Sequence, residues 1–153
     1  MSTPVSSSTE HAVFAVIRRA IQRLDAVSYS VLAVPLRFAL ATVFWNSAMT
    51  KLANWDTAVA LFTDEYHVPV LPPELAAYLA ATIELSMPVL LVLGLATRPA
   101  SLILLGMTTV IEIFVYPRAW PTHIQWAAML LVLLCRGGGR FSLDHLIRKH
   151  FET

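Results

Sequence analysis

Several ionisable residues lie in the apolar stretches of this chain, where charge is costly and chemistry is therefore expected. They are Arg37, Lys51, Glu84, Glu112 and His123. Glu84 lies near the middle of the longest such stretch, residues 75–98. Because about 20 helical residues cross the hydrocarbon of a bilayer, a carboxylate halfway along needs a cation, a proton or water.

Arg37 is the first candidate partner for Glu84. It shares one helical stripe with Lys51 on the preceding apolar segment, residues 31–52. At about 1.5 Å per residue, Arg37 lies roughly 6 Å from the centre of that segment, an offset that its long side chain can cover. We therefore predict a buried Arg37–Glu84 ion pair, which either fixes helix registry or handles protons. Lys51, at the segment end, is expected to extend to the lipid headgroups.

Glu112 and His123 are expected to lie close together, because only a short connection separates their two helices. The residues predicted at similar depth are Asn46, Lys51, Tyr116 and Trp126. This set outlines a polar pocket with aromatic walls that suits a quinone head group or a small anion. A carboxylate beside a histidine is also a proton relay in many enzymes. The alternative is an interhelical hydrogen bond beneath an aromatic belt.

The composition indicates a membrane protein. Of the 153 residues, 57% are hydrophobic and only 14% are charged, against about 25% charged in soluble domains. We predict an all-α fold, an integral membrane four-helix bundle with flanking amphipathic helices. The predicted parts are a disordered N-terminus (1–10), an amphipathic interfacial helix (11–27), a four-span transmembrane domain (31–136) and a basic tail with a short helix (137–153).

The sequence contains few signals of self-contained catalysis. Cys135 is the only cysteine, so the chain has no intrachain disulfide and no Cys-x-x-Cys motif for dithiol chemistry. No histidine or cysteine spacing resembles a zinc or haem site, and no nucleic-acid motif is visible. Enzymatic activity is therefore expected, at most, as a subunit of a membrane oxidoreductase.

Basic residues predict the orientation. Arginine and lysine concentrate near both termini and at Arg98, while the long connection over residues 53–74 is acidic. By the positive-inside tendency, both termini are expected in the cytoplasm and residues 53–74 on the outer side. The predicted location is a bacterial inner membrane.

Ordered motifs along most of the chain resemble one family. They are Arg37, Ser47-Ala-Met-Thr-Lys51-Leu52, Glu84, Leu93-Gly-Leu-Ala-Thr-Arg98 and Gly137-Gly-Gly-Arg-Phe-Ser-Leu-Asp144. In order and spacing they resemble the DoxX family of small four-span bacterial membrane proteins. The segment Phe114–His123 further resembles a subgroup encoded beside metal-dependent peptide-modifying oxidases.

The resemblance implies an inner-membrane protein associated with redox systems, whose name-giving relatives include subunits of a thiosulfate:quinone oxidoreductase. The first hypothesis is thus an accessory component of a redox system that contacts quinone, with Glu112, His123 and the Arg37–Glu84 pair as site residues. The second is a transporter or export helper for a metal, a small anion or a modified peptide. The third is a purely structural scaffold. The expected partners are the lipid bilayer, other membrane or periplasmic proteins of such a system, and a second copy of the chain.

Overall fold

The computed structural model describes residues 7–66 and 68–152, and every regular element in this part of the chain is helical. The helices are α1 Ser7–Asp25, α2 Tyr29–Ala53, α3 Trp55–Asp64, α4 Pro73–Leu93, α5 Thr97–Val110, α6 Trp120–Arg136 and α7 Leu143–Phe151. A π-helical turn, Ile111–Val115, continues α5. The predicted all-α membrane bundle is confirmed.

Three helical segments are long and apolar enough to cross a membrane: Tyr29–Ala53, Pro73–Leu93 and Thr97–Val115. The fourth predicted span corresponds to α6, which has 17 residues. That length is at the lower limit of the about 17–25 residues that cross the hydrocarbon. The four predicted spans are thus present as helices, of which three meet the length of a full span.

The flanking helices are α1, which precedes α2, and α7, which follows α6. In α1, apolar side chains including Phe14 and Leu24 are exposed, as expected of a helix that rests on a lipid surface. This helix begins at Ser7 and so includes residues 7–10, which were predicted to be disordered. Residues 1–6 of that prediction lie outside the described residues.

The interior of the bundle is apolar over most of its length. The fully buried Leu and Phe side chains are Leu40, Phe44, Leu91, Leu104, Leu130 and Leu133, contributed by α2, α4, α5 and α6. On α2 the buried face also carries Ala33, Ala41 and Ala48, and such small residues let helices approach closely within a membrane. This packing holds the polar side chains described below at fixed depths.

We call the two ends of the bundle the basic end and the α3 end. The basic end comprises the turn over residues 94–96 and the loop over residues 137–142, and the α3 end comprises α3 and the α5–α6 connection. At the basic end, Asp144 accepts hydrogen bonds from the backbone N–H groups of Ala96 and Thr97, at 2.7 and 2.8 Å. Its own N–H donates to the Gly94 carbonyl at 2.9 Å. These bonds fasten the loop before α7 to the α4–α5 turn.

Gly94 is required at that turn. Its φ is +66°, and a Cβ there would lie 2.5 Å from Ser142 Cβ and 2.8 Å from Ser142 Cα. We expect Gly94→Ala to destabilise the bundle by about 2 kcal/mol, from the left-handed backbone and the contact together. The matched control is Gly106→Ala, because a Cβ at Gly106 meets nothing within 4 Å. Denaturant titration of both variants in detergent measures the difference, and equal midpoints would contradict the expectation.

Candidate functional site

Glu84 is paired with Lys51. The carboxyl group, on α4, is part of a residue only 1% exposed. Lys51 Nζ, on α2, lies 2.9 Å from Glu84 Oε1 and 2.8 Å from Oε2, and the Ser47 hydroxyl donates to Oε1 at 2.9 Å. Lys51 Nζ also lies 3.0 Å from the Ser47 Oγ. The buried carboxylate is thus held by a cation and a hydroxyl, both from one face of α2.

Arg37 is not the partner of Glu84, and that part of the prediction is wrong. Arg37 is 3% exposed and donates to two carbonyls at the end of α4, Leu91 (2.7 Å) and Val92 (2.6 Å). It also donates to the Gly138 and Phe141 carbonyls of the basic-end loop, at 3.1 and 2.7 Å.

The distance along the helices explains the correction. Arg37 lies level with Leu91, and Glu84 is seven positions earlier on α4, about 10 Å away along the axis. The last carbonyls of a helix lack intrahelical donors and carry partial negative charge. The Arg37 guanidinium, with five N–H groups, therefore binds these nearby carbonyls and not the distant carboxylate of Glu84. Lys51 lies at the depth of Glu84 because α2 and α4 are antiparallel, and it turns inward instead of extending to the headgroups.

Glu112 and His123 are in contact. Glu112 Oε2 lies 2.5 Å from His123 Nδ1. Glu112 lies in the π-helical turn, which is closed by a hydrogen bond from the Tyr116 N–H to the Ile111 carbonyl at 2.8 Å. His123 lies in the first turn of α6 and is 4% exposed. Since Glu112 occupies Nδ1, the Nε2 atom of the ring remains available to a ligand.

Two tyrosines meet beside this pair. The hydroxyl oxygens of Tyr66 and Tyr116 are 2.5 Å apart, and their ring centroids are 5.5 Å apart. Burial raises the pKa of the Tyr66 hydroxyl above its ordinary value, and the hydrogen bond with Tyr116 raises it further. Tyr66 therefore stays protonated at neutral pH. Tyr66 is not among the site residues predicted from the sequence. Its position, an aromatic residue at the end of an acidic amphipathic helix, is the sequence feature that could have indicated it.

These groups surround one cavity of about 460 Å³ at the α3 end. The polar residues in its wall are Ser47, Thr50, Lys51, Asn54, Thr57, Tyr66, Glu84, Tyr116 and His123, and the main aromatic and apolar ones are Phe44, Phe62, Met107 and Trp126. The ring centroids of Phe44 and Trp126 are 5.7 Å apart, and those of His123 and Trp126 are 5.0 Å apart. The cavity is the size of a small-ligand site, with mostly apolar walls and a few convergent polar groups.

Two predicted site residues lie outside the cavity wall. Glu112 lies behind His123 and reaches the cavity only through that ring. Asn46 is exposed and lines a shallow groove on another flank of α2, with Trp45 and Pro88. The placement of Asn46 in the pocket is wrong because consecutive helical residues point about 100° apart, so the inward direction of Ser47 takes Asn46 away from the interior.

The chemistry available in the cavity is hydrogen bonding and proton handling. Lys51 donates, Glu84 accepts, and His123 and the tyrosines can do either. Among the residues described, no three His, Cys, Asp or Glu side chains are grouped as metal ligands. Cys135 is exposed, near the C-terminal end of α6 at the basic end, and so lies away from this cavity.

Comparison with known proteins agrees with the architecture. Residues 32–117, more than half of the chain, match the DoxX family model. The chain is also 27% identical over 144 residues to an uncharacterized protein of Haemophilus influenzae, an alignment that covers 86% of this chain and 93% of the relative. No solved structure matches the chain. The match extends from the start of α2 to the π-helical turn and includes both Lys51 and Glu84, and the chain therefore belongs to the DoxX family.

Proposed function

We propose that this protein is an accessory membrane component of a redox system and that it binds the head group of a quinone in the α3-end cavity. The observation that carries the proposal is the composition of the cavity wall. Aromatic and aliphatic side chains surround a small number of polar groups. Lys51 is held there by Glu84 and Ser47, and His123 Nε2 belongs to a group that can donate to a quinone carbonyl. A quinone ring combines an apolar body with two carbonyl acceptors, and this wall complements both.

In this proposal the chain binds the ligand and exchanges protons with it, while electron transfer belongs to partner proteins. His123 is suited to proton exchange because Glu112 orients its ring through Nδ1. The partners proposed are membrane or periplasmic proteins of a redox or peptide-modifying system.

The proposed orientation places the α3 end on the outer side of a bacterial inner membrane. The basic end carries Arg98, Arg136 and Arg140, which the positive-inside tendency assigns to the cytoplasm. Asp56 and Asp64 of α3 lie at the other end. The quinone site would then open toward proteins outside the membrane.

An apolar layer favours ligand binding over passage of a solute. Leu40, Leu104 and Leu130 are each 0% exposed. Each lies one helical turn from a residue of the cavity wall, on the side of the basic end: Phe44, Met107 and Trp126 respectively. Moving an ion or an anion through this layer would require dehydration in an apolar medium. Transport of a metal, a small anion or a modified peptide is therefore the weaker hypothesis.

Quenching of tryptophan fluorescence tests the proposal, because Trp126 lines the cavity. A short-chain ubiquinone or menaquinone analogue is titrated into the purified protein in detergent. We expect saturable quenching in the wild type, and an affinity about tenfold lower in His123→Ala from the loss of one hydrogen bond to the ligand. Trp126→Phe should remove most of the signal.

Asn46→Ala is the matched control, since Asn46 lies outside the cavity, and its affinity should equal that of the wild type. Thermal unfolding of each variant establishes that it is folded before titration. The proposal is wrong if the wild type gives no saturable quenching, or if folded His123→Ala binds as the wild type does.

A further inference from the structure

A second cavity, of about 580 Å³, lies at the basic end, and it is strongly cationic. Four arginines contribute to its wall, namely Arg98, Arg136, Arg140 and Arg148, together with the three glycines of the loop, Gly137–Gly139. The carboxylate in the wall is Asp144, and both of its oxygens already accept backbone N–H groups at 2.7 and 2.8 Å. The cavity thus carries a surplus of positive charge.

The arginines are only weakly engaged by the protein. The Arg140 guanidinium has no partner among the described residues, and Arg98 makes one bond to the Cys135 carbonyl at 3.2 Å. Arg136 lies over the Tyr29 ring, 5.0 Å from its centroid. Arg148 lies 3.9 Å from Glu152, a pair that is more than half exposed on both sides. These guanidinium groups retain most of their donors for an anion.

The loop offers backbone donors beside the arginines. Gly137 and Gly139 have φ of +74° and +76°, and within the described part of the chain no acceptor takes the N–H groups of Gly138 or Gly139. Adjacent free N–H groups in a turn can donate together to one anion. A Cβ at Gly138 would lie 2.7 Å from Thr97 Oγ1, so the loop has no room for a side chain there.

The surroundings of the cavity are apolar and lie at the membrane surface. Phe141, Leu146 and Phe151 are 63%, 59% and 83% exposed, on or next to α7, whose residues His145 and Arg148 line the cavity. An amphipathic helix at the end of a membrane bundle rests with its apolar side in the headgroup and acyl boundary. A ligand here meets guanidinium groups and acyl chains together.

We propose that this cavity binds the phosphate group of an anionic phospholipid, with the arginines and the glycine loop on the phosphate and the apolar side chains of α7 beside the acyl chains. Basic pockets at the cytoplasmic ends of membrane helices suit such head groups. The site is at the end of the bundle opposite the α3-end cavity, so it shares the proposed orientation but does not depend on quinone binding.

The test uses the full-length protein in detergent with mixed micelles of phosphatidylglycerol or phosphatidylcholine, and bound lipid is counted by native mass spectrometry. We expect preferential binding of phosphatidylglycerol, and an affinity about thirtyfold lower in the double variant Arg98→Gln/Arg140→Gln. Arg98 makes one exposed hydrogen bond and the Arg140 guanidinium makes none among the described residues, so the variant should unfold close to the wild-type temperature. Arg118→Gln, a matched control in the exposed α5–α6 connection, should bind as the wild type does.

A further titration uses inorganic phosphate alone and distinguishes binding of a lipid phosphate group from binding of free phosphate. We expect phosphate without acyl chains to compete only weakly. The proposal is overturned if both lipids bind equally, if the folded double variant retains wild-type affinity, or if inorganic phosphate binds as tightly as phosphatidylglycerol.

Discussion

Arg37→Met is expected to lower the free energy of unfolding by at least about 3 kcal/mol, because it leaves the buried Gly138 carbonyl and the partly buried Val92 and Phe141 carbonyls without their guanidinium donor. Arg37 donates to the Leu91 and Val92 carbonyls of α4 and to the Gly138 and Phe141 carbonyls of the loop. The single side chain thus joins three parts of the chain at the basic end. Its charge also lies at the carbonyl end of α4, where a cation is favoured by the helix dipole.

Arg37→Lys should recover less than half of this loss. An ammonium group has three donors in a compact arrangement, whereas the four carbonyls are arranged around a planar fork. Arg23→Met, on the exposed face of α1, is the control for removal of an arginine. Denaturant titration in detergent, monitored by circular dichroism, gives the free energy of unfolding of all three variants. An Arg37→Met midpoint equal to that of Arg23→Met would refute the assignment.

The second large effect is expected at the pair of Lys51 and Glu84. Lys51→Met or Glu84→Met alone should destabilise the protein by about 3–5 kcal/mol, because each leaves a charge in the interior without its partner. The double variant Lys51→Met/Glu84→Met should be within about 1 kcal/mol of the wild type, since it removes both charges and keeps the volume. Additive losses in this cycle would mean that the two groups are not energetically coupled.

The double variant also distinguishes two roles for Lys51 and Glu84, a role in ligand binding and a purely structural role. If the pair contributes to quinone binding, Lys51→Met/Glu84→Met should fold and give weaker fluorescence quenching than the wild type. Unchanged quenching in the folded double variant would limit the role of Lys51 and Glu84 to helix registry.

The fold was predictable to a large extent because apolar length and charge placement determine helices in a membrane. The contact between Glu112 and His123 was predictable too, since the connection between their helices is short. The partner of Glu84 was not, because the prediction assumed that Lys51, at the end of its span, extends outward. A neighbouring antiparallel helix with a buried carboxylate at the same depth supplies a stronger interaction than the lipid headgroups do.

Other features of the site depend on the tertiary arrangement of the helices and cannot be predicted from sequence periodicity. Tyr66 meets Tyr116 only because α3 folds back over the bundle. The role of Arg37 at the end of α4 depends on the loop before α7, which is more than 100 positions away in sequence. Local pattern identifies which residues are costly to bury, and the packing of distant segments determines which groups satisfy them.

The π-helical turn has a consequence for the comparison of this chain with its relatives. On a continuous α-helix, Glu112 and Tyr116 would share one face, four positions apart. With the wider turn, Glu112 contacts His123 behind the cavity wall, and Tyr116, which follows the turn, contacts Tyr66 in that wall. A relative that lacks one residue in Ile111–Val115 could carry the same side chains and present them to different neighbours. Insertions and deletions in this stretch should therefore change the contacts of Glu112 and Tyr116 more than single substitutions elsewhere in the turn do.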